Sequence, residues 1–278
     1  MDYMEDNCID EFKEYLYCGE RASATVQKYL GSVKRLKDYL NGDKITKERL
    51  LEYREFLLTQ HCPQTVNVEI SAINAYLKFF KMDQMCLKLL RIQREVFLPE
   101  NREITKDDYQ KLLVTAKQQG KERLYFIMMT LAGTGIRISE LKYITVEAIS
   151  CGKAKIRMKG KTRTVLLPNK LCRMLGKYAK RKGIQSGHIF RTRSGKTVDR
   201  SNICHEMKEI SEEAGVRKEK VFPHNFRHLF ARLFYRIEKN LAHLADVLGH
   251  SRIETTRIYV AASAKDYERI LNQMELIQ

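Results

Sequence analysis

Apolar side chains in the first hundred residues recur at three- and four-residue intervals, which place them on one face of a helix. The intervals form four runs, at 8–16, 26–40, 50–57 and 66–80. Asn41-Gly42 is a signal for a helix C-terminus, Thr46 is a candidate N-cap, and Pro63 separates the third run from the fourth. Four amphipathic helices with short connections predict a small all-α bundle.

The period changes in the second part of the chain. Residues 94–104 contain Pro99 and keep no period, which predicts a linker. Residues 153–158 alternate between polar and apolar side chains, and an apolar stretch at 164–167 follows a Lys-Gly-Lys turn, so we expect a β-hairpin with a basic tip. Helical spacing surrounds the hairpin, in runs at 109–116, 124–131, 171–178, 226–237, 241–248 and 267–277.

Local signals mark the start of several of these helices. Thr105 and Asp108 form a candidate capping pair, with Asp in place of the usual Glu or Gln. Asn240 is a candidate N-cap, and Ser251 with Glu254 has the spacing of a capping box. These signals predict helices that begin immediately after each cap.

The patterns together predict a chain of two domains. We expect an all-α helical bundle over residues 1–98, a linker over 99–104, and a mainly helical α+β domain with a small β-hairpin over 105–278. The apolar stripe at 267–277 must be buried, either on its own domain or against a neighbouring copy. The pattern leaves both arrangements open.

Charge is distributed unevenly between the two parts. The chain has 51 Lys+Arg and 34 Asp+Glu, a formal net charge of +17. Residues 1–100 contain 15 basic and 16 acidic side chains (15 − 16 = −1), which leaves 36 and 18 for residues 101–278 (36 − 18 = +18). A basic domain of this size indicates a polyanionic partner, most simply nucleic acid. A basic enzyme that acts on another substrate is the alternative that charge alone leaves open.

Composition excludes several classes of protein. Hydrophobic residues make up 44% of the chain, too many for a disordered protein. No apolar run approaches the ~18 residues of a membrane span, and the acidic start MDYMEDNCID is unlike a signal or transit peptide. Seven cysteines without C-x-x-C spacing predict reduced thiols in the cytoplasm, with neither a disulfide framework nor a zinc site.

Five motifs in the second part carry candidate chemistry. They are TGIRISEL (134–141), the basic hairpin at Lys159, HNFR (224–227), LGH (248–250) and Tyr259 within TTRIYV. A single T-G-x-R or H-x-x-R would be a weak signal, but these motifs occur together and in one order. In that order and spacing the sequence resembles the tyrosine recombinase (phage integrase) family, in particular its Xer-type simple site-specific members, over essentially the whole chain.

The resemblance implies a fold, a partner and an activity. Residues 1–98 are then a SAM-like core-binding domain and residues 105–278 the catalytic domain, and the two close as a clamp around double-stranded DNA. The enzyme cleaves and rejoins DNA through a 3′-phosphotyrosine, acting as a tetramer on paired sites via a Holliday junction. If the terminal stripe docks on a neighbouring copy only when DNA is bound, the free protein is monomeric. Basic side chains of the second helical run lie mainly off its apolar face and are candidate DNA contacts, with an ordinary solvated surface as the alternative. The expected contacts, including two from the hairpin, are Lys28, Lys34, Arg35, Lys37, Lys161 and Arg163.

The chemistry accounts for the residue types. A tyrosine hydroxyl, with a pKa of about 10, is a poor nucleophile toward an anionic phosphodiester. Cations aimed at the charge that develops in the transition state lower this barrier, and arginine gives forked, permanently charged contacts to phosphate. The expected residues are Arg137 and Arg227 on the phosphate, His250 as a further donor, His224 as proton acceptor or relay, Lys159 as the acid for the leaving 5′-oxygen, Tyr259 as nucleophile, and Glu140 as the partner that orients Arg137 or caps its turn. This chemistry needs neither a metal nor a cofactor.

Other interpretations stay open at this stage. Lys161 is an alternative general acid to Lys159. A type IB topoisomerase-like nicking-closing enzyme would use the same chemistry without exchanging strands, and a noncatalytic DNA-binding protein would keep the fold. Val260-Ala261 replaces the Thr-His that is frequent after the nucleophile in the family. Chromosome dimer resolution, transposon integration and promoter inversion are all compatible with the motifs.

Overall fold

The computed structural model of the protein describes residues 5–92, 103–158, 160–192, 194–260 and 272–274, without the side chains of residues 161 and 258–260. The chain divides into two compact units, Met1–Arg94 and Glu95–Gln278. Most of the predicted linker at 99–104 lies outside the described residues. The assignment of residues 1–98 as a core-binding domain stays a prediction.

The first unit is helical in its described part. Its elements are α1 (Asp6–Cys18), α2 (Ser23–Leu40), α3 (Lys47–Gln60) and α4 (Pro63–Phe79), followed by a 3₁₀ turn at Asp83–Met85. Apolar faces of all four helices form one core around Phe12, Leu36 and Ile73. The predicted boundary signals are confirmed: Asn41 adopts a left-handed conformation after α2, and the Thr46 hydroxyl accepts a hydrogen bond from the Arg49 amide at 3.2 Å.

Two asparagines on α4 hold the chain that follows the helix. Asn74 donates its side-chain amide to the Leu87 carbonyl and accepts from the Leu87 amide, both at 2.8 Å. Asn67 makes the same pair of bonds with Leu90, at 2.9 and 2.7 Å. The side chains thus replace the partners that a neighbouring strand would give to this extended segment.

The second unit contains eight α-helices and one β-hairpin among its described residues. The helices are α5 (Lys106–Gln118), α6 (Glu122–Thr134), α7 (Val146–Cys151), α8 (Asn169–Arg181), α9 (Arg200–Glu213), α10 (Pro223–Glu238), α11 (Leu241–Leu248) and α12 (Ile253–Val260), with a 3₁₀ helix at Ile138–Tyr143. The capping box at Thr105 and Asp108 and the cap at Asn240 are confirmed. Helices α5 through α10 and the hairpin contribute residues to one hydrophobic core.

The hairpin pairs β1 (Lys153–Met158) with β2 (Lys161–Leu166) in antiparallel register, from Lys153 opposite Leu166 to Met158 opposite Lys161. The second strand begins within the segment predicted as a turn. The first residues of this strand have basic and polar side chains, so the apolar pattern does not reveal them. They belong to the strand because backbone pairing extends to Lys161. Ala154, Ile156 and Val165 point into the core, so one face of the hairpin is buried.

Helix α10 packs along α6 through Phe226 and Leu229. The apolar stripe predicted for this helix is wrong at its last position, because Ile237 is 86% exposed. Helix α10 ends one residue later, where Lys239 takes a left-handed conformation. The buried face therefore stops before the final turn of the helix.

The terminal stripe predicted at 267–277 falls almost entirely outside the described residues. Of its apolar positions only Met274 is described, and that side chain is exposed. In the described part of the chain, no helix combines the length and the apolar character that a membrane span requires.

Candidate active site

A tight turn after α6 begins the site. Gly135 has a φ of 63°, a left-handed conformation that favours glycine. A Cβ at this position would lie 2.5 Å from Phe230 Cδ1, so a side chain is excluded by packing as well as by conformation. The close approach brings the Gly135 carbonyl to α10, where it accepts a hydrogen bond from Arg227 Nη1 at 2.5 Å.

Arg227 joins three segments of the second unit. Its side chain is only 1% exposed, an unusual environment for a guanidinium. Whereas Nη1 binds Gly135, Nη2 donates to the Leu248 carbonyl at 2.8 Å and lies 2.7 Å from His250 Nε2. The T-G-x-R, H-x-x-R and L-G-H motifs therefore meet at one buried cation.

The end of α11 supplies acceptors to this cation. Gly249 closes the helix with a φ of 67°, and the His250 amide donates back to the Ala245 carbonyl at 2.9 Å. The last carbonyls of a helix have no partner within it and form the negative end of its dipole. Two arginines satisfy them here: Arg227 binds the Leu248 carbonyl, and Arg163 Nη1 binds the Val247 carbonyl at 2.7 Å.

The hydrogen bonds of His250 assign its tautomer. Arginine has no acceptor, so His250 Nε2 accepts from Arg227 and the proton is on Nδ1, which donates to the Thr256 hydroxyl at 2.9 Å. Burial, followed by the positive charge of Arg227 and other nearby cations, lowers the pKa of His250 to about 4. The ring is therefore neutral at pH 7. Thr256 is itself buried and lies on α12, the helix that contains Tyr259.

Arg137 is bound by a buried carboxylate. Glu140 Oε2 accepts from the Arg137 main-chain amide at 2.7 Å, and Oε1 accepts from Arg137 Nη1 at 3.2 Å. The second contact is an ion pair between an Arg137 side chain that is 42% exposed and a Glu140 side chain that is 2% exposed. Glu140 thus both caps the 3₁₀ helix that it belongs to and orients the arginine.

Arg163 shares the same carboxylate. Its Nη2 lies 2.8 Å from Glu140 Oε2, so one buried carboxylate faces two guanidinium groups. The sequence predicts a DNA contact for Arg163, whereas the structure gives its guanidinium two protein partners, Glu140 and the Val247 carbonyl.

His224 lies in the first turn of α10, beside His228 one turn later. Their ring centroids are 4.7 Å apart in an edge-to-face arrangement. Burial, with Arg227 and Arg137 as further causes, lowers the pKa of His224, and burial together with His224 lowers the pKa of His228 to about 3. A neutral His224 is suited to accept a proton at neutral pH.

Arg137 lines two adjoining cavities. The larger, of about 620 Å³, is also lined by Glu140, Arg163 and His250. The smaller, of about 460 Å³, is lined by Arg137, His224 and Arg227 among others. The two arginines and two histidines of the motifs thus border two cavities that share Arg137, each large enough for a phosphodiester.

The side chains of the expected nucleophile and of both candidate general acids lie outside the described part of the chain. Tyr259 belongs to α12, but its side chain lies outside the described part of the chain. Lys159 falls between β1 and β2 in the sequence and lies outside the described residues. Lys161 is the first residue of β2, and its side chain is likewise not described.

The basic residues predicted to contact DNA from the first unit all belong to α2. Lys28 and Lys34 are exposed. Arg35 forms an ion pair with Glu69 at 2.6 Å, and Lys37 forms one with Asp6 at 2.7 Å. Lys28 and Lys34 are thus the stronger candidates for a phosphate contact, and all four assignments stay predictions.

Two contacts in the site were not predicted. Thr256 has no sequence signal, because its contact with His250 depends on the turn between α11 and α12. For Arg163, alternation along β2 indicates a place on the same face as the buried Val165, but it does not identify Glu140 and Val247 as the partners. Among the described residues, no group of three His, Cys, Asp or Glu side chains is arranged to hold a metal ion.

Known proteins match most of this chain in sequence. Residues 102–266 match the model described as the phage integrase family. The chain is 25% identical over 284 residues to a protein named tyrosine recombinase XerA from Pyrococcus furiosus, covering 99% of this chain and 96% of the relative.

Solved structures show the same fold. The XerH site-specific recombinase bound to its difH substrate in a pre-cleavage complex superposes with a TM-score of 0.70 at 17% identity, covering 91% of this chain and 82% of that chain. A lambda integrase tetramer bound to a Holliday junction gives 0.73 at 15% identity, covering 90% and 75%. With the family match over residues 102–266, the chain belongs to the phage integrase family of tyrosine recombinases.

Proposed function

We propose that this tyrosine-type site-specific recombinase cleaves and rejoins duplex DNA through a 3′-phosphotyrosine, with Tyr259 as the nucleophile. The observation that carries the proposal is that Arg137 lines cavities with both His250 and Arg227, while Arg227 contacts His250 and is fixed by two main-chain carbonyls. A cation immobilised before substrate arrives needs no reorganisation when charge develops on the phosphate.

The first chemical step is an in-line displacement at phosphorus. The Tyr259 oxygen forms a bond to the phosphorus of the scissile phosphodiester, and the bond to the 5′-oxygen breaks. Arg137 and Arg227 bind the nonbridging oxygens, whose negative charge increases in the transition state. Because the phosphotyrosine keeps the energy of the phosphodiester, attack by a 5′-hydroxyl reverses the step without ATP.

Two proton transfers accompany the displacement. His224, whose lowered pKa keeps it neutral, accepts or relays the tyrosine proton. Lys159 donates a proton to the leaving 5′-oxygen, and Lys161 is the alternative donor on the same hairpin. Each proton released on one side of the phosphorus is thus matched by one delivered on the other.

His250 contributes a further donor through its partner Thr256. To donate to a phosphate oxygen from Nε2, the ring must carry its proton there instead of on Nδ1. A threonine hydroxyl both donates and accepts, so the 2.9 Å bond between Thr256 and Nδ1 is kept after the hydroxyl reverses its direction. The anionic phosphate favours this change because it replaces Arg227 as the nearest partner of Nε2.

The assembly proposed for strand exchange is a tetramer on two DNA sites, acting through a Holliday junction. Support comes from the shared fold with lambda integrase, whose tetramer was solved on such a junction. Exposed Lys28 and Lys34 on α2 are proposed to contact DNA phosphates from the first unit. The free protein is proposed to be monomeric.

Replacement of Tyr259 by Phe tests the nucleophile. On a nicked suicide substrate, which loses a short fragment on cleavage, the wild-type protein should accumulate a covalent DNA adduct. The Phe variant should form none, since it lacks the attacking oxygen, and should bind DNA as the wild type does. An adduct formed by the Phe variant would reassign the nucleophile.

A plasmid with two sites separates recombination from topoisomerase activity. Strand exchange changes the connectivity of the plasmid, whereas nicking and closing changes only its linking number. Relaxation without any recombinant product would support the topoisomerase-like alternative. Binding without any adduct would support the noncatalytic one.

A further inference from the structure

Arg163 has an environment that a DNA-contacting arginine does not require. It lies on β2 with only 17% of its side chain exposed. Nη2 contacts Glu140 Oε2 at 2.8 Å, and Nη1 donates to the Val247 carbonyl at 2.7 Å. These partners belong to two separate segments, the 3₁₀ helix after Arg137 and the end of α11.

The aliphatic part of Arg163 packs against the turn before His250. A Cβ at Gly249 would lie 2.7 Å from Arg163 Nε and nearer still to its Cδ. Glycine is therefore needed at 249 both for the left-handed conformation and for the passage of this side chain. Arg163 fills the space beneath the turn from which His250 projects.

Charge balance gives Arg163 a second effect. Glu140 is 2% exposed and faces Arg137 and Arg163, so the three groups carry a net charge of +1. Without Arg163, the buried carboxylate would be neutralised by Arg137 alone, and the pair would present no net charge to the cavity. Arg137 would also be drawn toward Glu140, since it would be the one remaining cation paired with a buried carboxylate.

We propose that Arg163 is a positioning residue for the reaction: it balances Glu140 so that Arg137 keeps its charge for the phosphate, and it fixes the turn that presents His250. The inference rests on the proposed function, because it assigns Arg137 and His250 to the scissile phosphate. It replaces the DNA contact that the sequence predicts for Arg163.

Arg163→Met tests the proposal, with Arg157→Met as the matched control. Arg157 is an exposed arginine on β1 of the same hairpin, so both changes remove one charge and keep a similar apolar stem. At saturating DNA, we expect Arg163→Met to slow single-turnover cleavage by about 10- to 100-fold, and Arg157→Met to leave that rate near the wild-type value. The salt dependence of DNA binding should be unchanged in Arg163→Met.

A second substitution tests the charge balance directly. Adding Glu140→Gln to Arg163→Met removes the carboxylate that would otherwise cancel the charge of Arg137, while keeping an oxygen that accepts from the Arg137 amide. The double variant should cleave several-fold faster than Arg163→Met alone. A role in stability alone predicts no such recovery, because a change in stability does not alter the single-turnover rate of protein that remains folded.

Three outcomes would overturn the proposal. One is weaker DNA binding with a salt slope reduced by about 0.9 and unchanged cleavage at saturation, which would make Arg163 a phosphate contact. The second is a double variant no faster than Arg163→Met. If urea titration shows that the Met variant is unfolded, Arg163→Gln takes its place, since it also removes the charge and is too short to reach both partners. Cleavage at the wild-type rate by that folded variant is the third outcome.

The proposed function is tested separately in the same assay. Wild-type protein that forms no covalent adduct on the suicide substrate would contradict the function itself. Rates of the variants bear on Arg163 only relative to a wild-type protein that cleaves.

Discussion

Arg137 and Arg227 carry the same charge in different surroundings. Arg137 is 42% exposed beside Glu140, whereas Arg227 is 1% exposed and bound to the carbonyls of Gly135 and Leu248. Loss of Arg137 leaves Glu140 still paired with Arg163. Loss of Arg227 leaves two buried carbonyls without their donor.

Alanine at either position should abolish most cleavage, but only one should destabilise the fold. We expect both Arg137→Ala and Arg227→Ala to slow cleavage by at least about 10²-fold, since in the proposed mechanism each removes a donor aimed at the transition state. Arg227→Ala should also lower the free energy of unfolding by about 2–4 kcal/mol, because buried acceptors lose their partner. Arg137→Ala should change it by less than about 1 kcal/mol. Single-turnover cleavage and urea titration measure the two effects, and equal stability of the two variants would contradict the contrast.

The buried histidines predict a loss of stability in mild acid. Burial and Arg227 lower the pKa of His250 to about 4 from its ordinary 6.5, so the unfolded chain binds a proton at pH values where the folded protein does not. This contribution to stability is present above pH 6.5 and is lost as the pH falls toward 4. His228 and His224 act in the same direction.

NMR titration of the His250 ring in the DNA-free protein checks this directly. The midpoint should fall well below 6, and the urea midpoint of unfolding should decrease from pH 7 to pH 5. In His250→Gln this decrease should be smaller, because one of the shifted groups is gone. A His250 titration centred near 6.5 would mean that its ring is neither buried nor close to Arg227 in solution.

At the scale of the elements, we expect alanine to cost more stability in the turn after α6 than at a second glycine with nearly the same φ. Gly135 and Gly183 have φ values of 63° and 64°. A Cβ at Gly135 would meet Phe230 Cδ1 at 2.5 Å, whereas one at Gly183 meets nothing within 4 Å.

Gly183→Ala should therefore cost only the left-handed conformation, about 1–2 kcal/mol. Gly135→Ala should cost about 1–3 kcal/mol more through overpacking. It should also slow cleavage, since the Gly135 carbonyl is displaced from Arg227. Urea titration compares the two stabilities, and similar values would show that the turn relaxes around the new methyl group.

Elements whose signals are local could be predicted from the sequence. The caps at Thr46, Thr105 and Asn240 depend on residues within three positions, and all three form as expected. The apolar face of α10 was predicted too far, because periodicity does not reveal where a packing partner ends, and Ile237 is exposed.

The same distinction between local and long-range signals applies to the site. The motif arginines and histidines were found from their order in the sequence, and the structure brings Arg137, Arg227, His224 and His250 together. The contacts of Arg163 and Thr256 join residues from segments far apart or across a turn. No pattern within a short window indicates such pairs, so they required the fold.

At the scale of the whole molecule, the net charge of +17 predicts binding that weakens steeply with salt. Each lysine or arginine that contacts a phosphate releases counterions, which adds about −0.9 to the log–log slope of the binding constant against salt concentration. If Lys28 and Lys34 both contact phosphate, Lys28→Ala/Lys34→Ala should make the slope shallower by about 1.8.

Lys13→Ala is the control for this measurement. Lys13 lies on α1, where residues 1–20 contain seven acidic side chains and one basic side chain (1 − 7 = −6), so a phosphate contact is unfavourable there. Its slope should equal that of the wild type. Slopes that are equal for the control and the double variant would remove α2 from the DNA interface.

The two carbonyl bonds of Arg227 also bear on how such a gene decays. A copy released from selection for recombination is still selected against misfolding and degradation while it is expressed. Because Arg227 ties the ends of α6 and α11 to α10, that residual selection continues to act on it. Arg137, whose carboxylate partner has a second arginine, lacks this protection and should drift first. Retention of Arg227 in a gene copy that no longer recombines DNA would thus indicate selection for folding rather than for activity.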